Sequence, residues 1–159
     1  MMMRRGRLVI LGGLTMMLAI GCAAVHQDRA QQYFAEDQYD KAGYEIQAAL
    51  SHDPNNLKLR HLAAKIFTQQ GNQRYKRGEM IAASQYFNKA IDYDPTYAPA
   101  YDYLGILDFA QGNWQGAISN GSAAAGYSGQ PVPVYVQQAR QQLKRVRSGR
   151  MQFRTHTTQ

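Results

Sequence analysis

The sequence predicts an all-α fold, a superhelix of about three antiparallel helix pairs followed by a C-terminal capping helix. Three observations carry this prediction. The middle of the chain repeats itself, the apolar residues of each copy recur every three or four positions, and glycine or proline separates the helical stretches. A chain of 159 residues, 45% hydrophobic and 18% charged, suits a single core of this kind.

The repeat emerges when the chain is aligned with itself. One shift places Gly71 against Gly105, and a second, longer shift places Ala42 against Ala83. The chain therefore contains three copies, with seven additional residues between the first and the second. These fall in NNLKLRHLAAKIFTQQG, where helical spacing predicts a long first helix over residues 56–76, extended by about two turns.

Each copy is expected to form two helices that pack together. In copy two, one helix face consists of Ala83, Phe87, Ala90 and Ile91. The small alanines admit a close neighbour, and Phe87 fills the remaining space. Gly78 separates the two helices. Pro95 ends the second helix, because proline disfavours helical geometry in the residue before it.

This pattern resembles the tetratricopeptide repeat (TPR), whose period is about 34 residues. The resemblance covers roughly residues 26–129, with the repeats themselves expected over residues 29–129. It departs from the repeat at Ala30, Gly121 and Gly129, where a glycine, a bulky residue and a proline are usual. The last two departures predict a looser third helix pair that ends in the flexible stretch AAAGYSGQP. The residues that carry the resemblance are Tyr33, Ala42, Ile46, Ala49 and Pro54 in copy one, Gly71, Gly78, Ala83, Phe87, Ala90 and Pro95 in copy two, and Tyr101, Leu104, Gly105, Gly112, Trp114, Ala117 and Ala124 in copy three.

The segment after the repeats predicts a capping helix over residues 130–148 and a basic, disordered tail over residues 149–159. A repeat array needs a cap with a polar outer face over its last exposed core. The apolar face of this helix consists of Val134, Val136, Ala139, Leu143 and Val146.

Residues 1–21 have the pattern of a signal peptide, with the basic start MMMRRGR, an apolar run over residues 8–20, and Gly21. An apolar run of this length rises only about 20 Å as a helix, whereas a bilayer core is about 30 Å thick. Cleavage is therefore expected, followed by a linker over residues 22–28.

Cys22, the single cysteine of the chain, follows directly. The stretch LAIGC resembles the lipobox of bacterial lipoproteins, although Ala19 stands three places before the cysteine, where that family usually has leucine. The resemblance implies acylation at Cys22, palmitate included, and Ala23 rather than an acidic residue after the cysteine implies the outer membrane. The alternative is an ordinary secretory signal cut near Gly21 or Ala23, which would leave an unlipidated periplasmic adaptor.

The charge of the chain concentrates near its C-terminus. Without residues 1–21, 15 basic residues face 11 acidic ones, and no acidic residue follows Asp108. Such a run is either a solvated face or a contact for anionic lipid, cell-wall polymer or an acidic patch on a partner. The basic residues are Arg140, Lys144, Arg145, Arg147, Arg150 and Arg154.

The inner surface of a helix-pair superhelix is lined mainly by the first helix of each pair. In TPR proteins this surface binds segments of other proteins, so the resemblance implies a partner groove here. Its aromatic residues could equally well pack only between adjacent first helices, and its polar residues could simply be solvated. The residues at the inward-facing places are Phe34, Thr68, Asn72, Tyr75, Lys76, Asp102, Ile106 and Phe109.

No pattern in the sequence supports catalysis, a cofactor or a metal. The four histidines are scattered and form no i, i+4 pair, and phosphate-binding or nucleophile motifs are absent from the sequence. Nucleic acid is not an expected partner of an exported protein, nor is a small-molecule substrate. The expectation is an outer-membrane TPR lipoprotein that acts as an adaptor in assembling a pilus, a secretion system or the barrel-assembly machinery, similar to pilotins. The alternative is a membrane-surface structural factor whose basic tail binds anionic lipid or cell-wall polymer.

Overall fold

Seven helices and no strand lie within residues 6–156, the part of the chain that the computed structural model describes, with side chains described for residues 21–148. The first six helices form the pairs α1/α2, α3/α4 and α5/α6; each pair packs on the next, and α7 packs on α6 and α5. The chain thus folds as the all-α, TPR-like superhelix with a capping helix that the sequence predicts. The helices are α1 (Gly6–Ala35), α2 (Tyr39–His52), α3 (Leu57–Lys76), α4 (Met80–Tyr93), α5 (Ala98–Ala110), α6 (Trp114–Ser128) and α7 (Val134–His156).

The turn inside each pair has the same backbone conformation. Asp37, Gly78 and Gly112 occupy equivalent positions, with φ angles of 57°, 79° and 74°. Glycine adopts this left-handed conformation without steric cost, whereas other residues rarely do. The turn of the first pair is therefore the strained one of the three.

Small residues on the second helix of each pair let the two helices approach closely. The predicted face is confirmed: Ala83, Phe87 and Ala90 are buried, and Ile91 is half-buried against the core. Aromatic rings fill the spaces that remain. Within the second pair Phe67 stacks on Tyr93 with centroids 5.3 Å apart, and between the second and third pairs Phe87 stacks on Tyr103 at 5.1 Å. The buried faces are Ala42, Ile46 and Ala49 on α2, Ala83, Phe87 and Ala90 on α4, and Ala117, Gly121 and Ala124 on α6.

The seven extra residues lengthen α3 to 20 residues, as predicted. Asn56 begins the helix as its N-cap, with Oδ1 accepting hydrogen bonds from the backbone N–H groups of Lys58 and Leu59. The added turns are held against the end of α4, because Arg60 donates to the backbone carbonyls of Tyr93 and Asp92 at 2.9 and 3.0 Å.

Residues 22–28 belong to α1, where the sequence predicts a linker. Ala23 is buried, and His26 Nδ1 lies 2.6 Å from Glu45 Oε2 on α2. The His26 ring also stacks on His52, with centroids 6.1 Å apart. The segment lacks a continuous apolar stripe, which is why its spacing does not predict a helix. Residues 1–5 of the predicted signal peptide lie outside the described residues, as do the side chains of residues 6–20.

The third pair is closely packed, contrary to the predicted looseness. α6 is helical as far as Ser128, and Gly129 ends it with a φ of 67°. Gly121 is buried, and a Cβ atom added there would lie 2.3 Å from Val136 Cγ2 of α7. Because Gly121 has no side chain, the capping helix can pack closely against α6 at this position.

Helix α7 continues to His156, past the predicted end of the capping helix at residue 148. Arginine, methionine and glutamine favour helices, and a single glycine such as Gly149 costs only about 1 kcal/mol in a helix interior. This accounts for a helical backbone over residues 149–156, where the sequence predicts a disordered tail. Residues 157–159 lie outside the described part of the chain.

Candidate partner groove

The predicted groove lies on the first helices, α1, α3 and α5, which run in the same sense because two short turns separate each from the next. The repeat relates Phe34 on α1 to Tyr75 on α3 and Phe109 on α5. All three rings are half-buried, so each combines core packing with an accessible edge. Such a row of partly exposed rings is the kind of surface on which binding energy concentrates in protein interfaces.

At the α1 end of the groove, Phe34 contacts the next pair through a cation. Lys65 Nζ of α3 lies 4.8 Å from the centroid of the Phe34 ring, and the Tyr39 ring lies 5.3 Å from it. Lys65 is exposed, so the sequence analysis missed a groove residue. Its position seven residues before Asn72, on the same helix face, is the signal that could have identified it.

The four predicted residues on α3 divide into one that is inaccessible and three that are accessible. Thr68 is 1% exposed and its hydroxyl donates to the Ala64 carbonyl at 2.8 Å, so its polar group is satisfied within α3 and cannot contact a partner. This corrects the prediction for Thr68, whose side chain lies in the packed interior of the array rather than on its accessible surface. Asn72 and Tyr75 are half-buried, and Lys76 is exposed.

On α5, two of the three predicted residues, Asp102 and Phe109, contact α7. Tyr135 donates its hydroxyl hydrogen to Asp102 Oδ1 at 2.9 Å, and its ring lies 6.2 Å from the ring of Phe109. Burial, this hydrogen bond and the nearby carboxylate charge together raise the pKa of Tyr135 well above its ordinary value. Ile106, which lies between Asp102 and Phe109 in the sequence, is half-buried. The structure therefore brings α7 into the site, through a residue that the sequence analysis did not select.

The ring of Tyr135 fits on two glycines. A Cβ atom at Gly105 would lie 2.4 Å from Tyr135 Oη, and one at Gly121 would lie 2.7 Å from the same atom. Because Gly105 on α5 and Gly121 on α6 have no side chain, the Tyr135 ring can pack directly against the backbone of both helices.

The basic residues of α7 are accessible. Arg140, Lys144, Arg145 and Arg147 are all exposed, and no acidic residue lies between Val134 and His156. The side chains of Arg150 and Arg154 lie outside the described part of the chain.

Cys22, the predicted lipid-attachment residue, is exposed on α1 directly before the buried Ala23. Among the residues described, no helix is long and apolar enough to cross a membrane.

The described histidines form local polar contacts. His61 Nδ1 lies 2.7 Å from Asp94 Oδ2 in an open cleft of about 460 Å³ beside Arg60. Burial would raise the pKa of Asp94, but hydrogen bonds from His61 and Thr96 outweigh it and hold the pKa below its usual 3.8. His52 is exposed, and His156 lies beyond the residues with described side chains. No group of three or more potential metal ligands occurs among the residues described.

Comparison with known proteins gives structural likeness without sequence likeness. No protein-family model matches the chain, and no curated protein is significantly similar to it in sequence. Solved structures that resemble it include the first TPR of Spaghetti (RPAP3) bound to an HSP90 peptide, SRMEEVD, with 19% identity, a TM-score of 0.49, and coverage of 79% of this chain and 95% of that one. The Arabidopsis OM64 TPR domain has 16% identity and a TM-score of 0.49, with coverage of 80% and 98%. The Sgt2 TPR domain from Aspergillus fumigatus has 19% identity and a TM-score of 0.45, with coverage of 82% of each chain.

The fold assignment rests on the chain's own repeat. Three helix pairs, equivalent left-handed turns at Asp37, Gly78 and Gly112, and buried small residues at matching places define it. The chain is thus built as a TPR-like repeat array.

Proposed function

We propose that the chain is a protein-binding adaptor of the bacterial envelope, lipid-anchored at Cys22 to the periplasmic face of the outer membrane. The observation that carries the adaptor role is the row of Phe34, Tyr75 and Phe109, three half-buried rings at equivalent places on the first helices. A partner segment lying across the row would cover their accessible edges. Lys65, Asn72 and Lys76 would supply polar contacts beside the rings.

The anchor would keep a weakly bound partner at the membrane. Cys22 is exposed, follows the apolar run over residues 8–20 and is the only thiol of the chain, which supports acylation at this position. Two or more acyl chains hold a protein stably, because each buried methylene contributes about 0.8 kcal/mol. Tethering of this kind raises the effective concentration of a partner at the membrane to about millimolar. The envelope system served would be a pilus, a secretion system or the barrel-assembly machinery.

The direction of the helices favours a protein over the bilayer as the contact of the basic tail. Six short turns separate α1 from α7, so the two helices run in the same sense. Cys22 lies at the N-terminal end of the packed part of α1, whereas Arg147 lies about 20 Å from the N-terminal end of α7. A bilayer that holds the acyl chains of Cys22 would thus be remote from most of the basic residues. This argues against the structural-factor alternative, in which both features contact the same membrane.

Site-specific photo-crosslinking in the native envelope tests the adaptor role. A photoreactive amino acid at Asn72 or Ile106 should capture one discrete partner. The same amino acid at Tyr44 or Ile81, exposed positions on the second helices (73% and 77%), serves as the control and should not. Equal capture at groove and control positions would contradict the proposal.

The anchor is tested separately. Cys22→Ala should release the protein from membranes, and intact-mass analysis of the wild-type chain should show an acylated N-terminal cysteine. An unmodified thiol in membrane-extracted protein would refute lipidation and leave the unlipidated periplasmic adaptor.

A further inference from the structure

Helix α7 repeats the spacing of α5 at the same shift that relates copies two and three. The shift places Gly105 against Ala139, which are both buried, and Phe109 against Leu143, which are both half-buried. In addition, α7 contacts α6 and α5 in the way that α5 contacts α4 and α3. α7 therefore occupies the place of a fourth first helix, and the inner surface of the array extends onto it.

The inward-facing places on α7 are occupied by basic residues. Arg140 corresponds to Ile106 and Asn72, and Lys144 corresponds to Ala110 and Lys76. Arg140 and Lys144 are exposed on either side of Leu143 in the sequence. The groove thus continues past its aromatic row into a strip that combines one apolar side chain with two cations.

The rest of the inner surface has few free carboxylates. α3 contains five basic residues and no acidic one. α5 contains two carboxylates, and both are hydrogen-bonded within the protein: Asp102 accepts from Tyr135, and Asp108 accepts from Asn113 and Asn120 at 2.7 Å each. Most of the other carboxylates of the chain lie on second helices or in turns, among them Asp40, Glu45, Asp53, Glu79, Asp92 and Asp94.

Resting on the proposed function, we propose that the groove takes an acidic, extended segment of a partner protein, with apolar side chains on the ring row and carboxylates on Arg140 and Lys144. Complementary charge speeds association and rejects basic competitors. A concave surface in which cations alternate with half-buried apolar residues fits a narrow chain, whereas a flat anionic bilayer would reach only its rim.

A phage-displayed library of random dodecapeptides, selected on the immobilised full chain in detergent, tests the proposal. The peptides selected should be enriched in Asp and Glu together with Leu, Phe or Trp. Synthetic copies should bind Arg140→Glu/Lys144→Glu about tenfold more weakly than the wild type, because reversal removes two ion pairs and turns their attraction into repulsion. Binding by the wild type should weaken as salt is raised from about 0.05 to about 0.5 M, since such contacts are screened over about 8 Å at physiological ionic strength.

The control variant Arg29→Glu/Lys41→Glu changes the net charge by the same amount outside the groove. Arg29 corresponds to Gln70, whose amide donates to the Tyr39 carbonyl on α2, and Lys41 lies on α2 itself. This variant should bind the peptides like the wild type.

The outcomes separate the two proposals. Selection of no peptide at all would overturn the groove itself and this inference with it. Selection of peptides without acidic enrichment, or equal binding by both charge-reversal variants, would overturn only the role of α7. Loss of binding to mixed phosphatidylcholine and phosphatidylglycerol vesicles in the α7 variant, with peptide binding unchanged, would likewise overturn it and assign the basic residues to the membrane.

Discussion

Replacing Gly121 by alanine tests the close packing that holds α7 on the array. A Cβ atom at this position would lie 2.3 Å from Val136 Cγ2 and 2.9 Å from Tyr135 Cε2. Gly126 lies on the same helix and has nothing within 4 Å of its added Cβ, so Gly126→Ala is a matched control.

The difference between the two variants isolates the steric cost. Alanine is about 1 kcal/mol more favourable than glycine in a helix interior, and both variants gain some of this. Carbon atoms in contact are ordinarily about 3.5–4.0 Å apart, so α7 must shift by about 1 Å to accept the Gly121→Ala methyl group. Because Val136 is fully buried, it has little room to yield. Overpacking of this kind costs about 1–3 kcal/mol, and we expect Gly121→Ala to be less stable than Gly126→Ala by that amount.

Urea unfolding followed by far-ultraviolet circular dichroism measures the difference. With a slope of about 2 kcal/mol per molar, the midpoint of Gly121→Ala should lie about 0.5–1.5 M below that of Gly126→Ala. Trypsin should also cleave α7 of Gly121→Ala faster, at Arg140 to Arg147. Coinciding midpoints would show that α7 does not depend on this contact, and the account of the cap would be wrong.

Three further changes have defined outcomes. Asn56→Ala removes the N-cap of α3 and should lower the free energy of unfolding by about 1 kcal/mol, measured by urea titration, with Asn55→Ala as a control that changes it by less than about 0.5 kcal/mol. Tyr135→Phe keeps the ring but removes the hydrogen bond to Asp102, and should cost about 0.5–1.5 kcal/mol in the same assay; an unchanged stability would show that the hydroxyl contributes nothing. Because folding lowers the pKa of Asp94, its ionised form stabilises the fold above pH 3.8, and this contribution is lost as the pH falls through the folded pKa. Asp94→Asn should therefore be less stable than wild type near neutral pH, the gap should close below pH 3.8, and a gap that persists in stronger acid would contradict the assignment.

The repeat could be predicted from the sequence because its signals are local. Glycine at the hairpin turns, Pro54 and Pro95 after the second helices, and alanine every few residues each specify backbone or packing within one copy. The long α3 could be predicted because its added residues keep the helical period. Each of these features depends only on residues within one copy of the repeat.

The features that escaped prediction depend on contacts between helices. Thr68 has the polarity of a groove residue, yet the close approach of its neighbours buries it. Gly121 breaks the repeat pattern and predicts loosening, but Val136 and Tyr135 of α7 fill the space it leaves. Residues 22–28 show no apolar stripe, because the face towards α2 is made of one alanine and a histidine paired with Glu45. For Gly121 and for residues 22–28, the contacting residues lie on another helix, which the spacing of the sequence does not reveal.

The continuous backbone from Cys22 to Ala35 changes how an anchored form would work. A flexible connection over residues 22–28 would let the domain sample separations of about 15 Å from its attachment point. An unbroken helix instead sets a single length of about 20 Å between the bilayer surface and the first turn of the array. The height of a partner segment above the bilayer would then decide its binding as much as its chemistry does, since only a segment at that height could enter the groove.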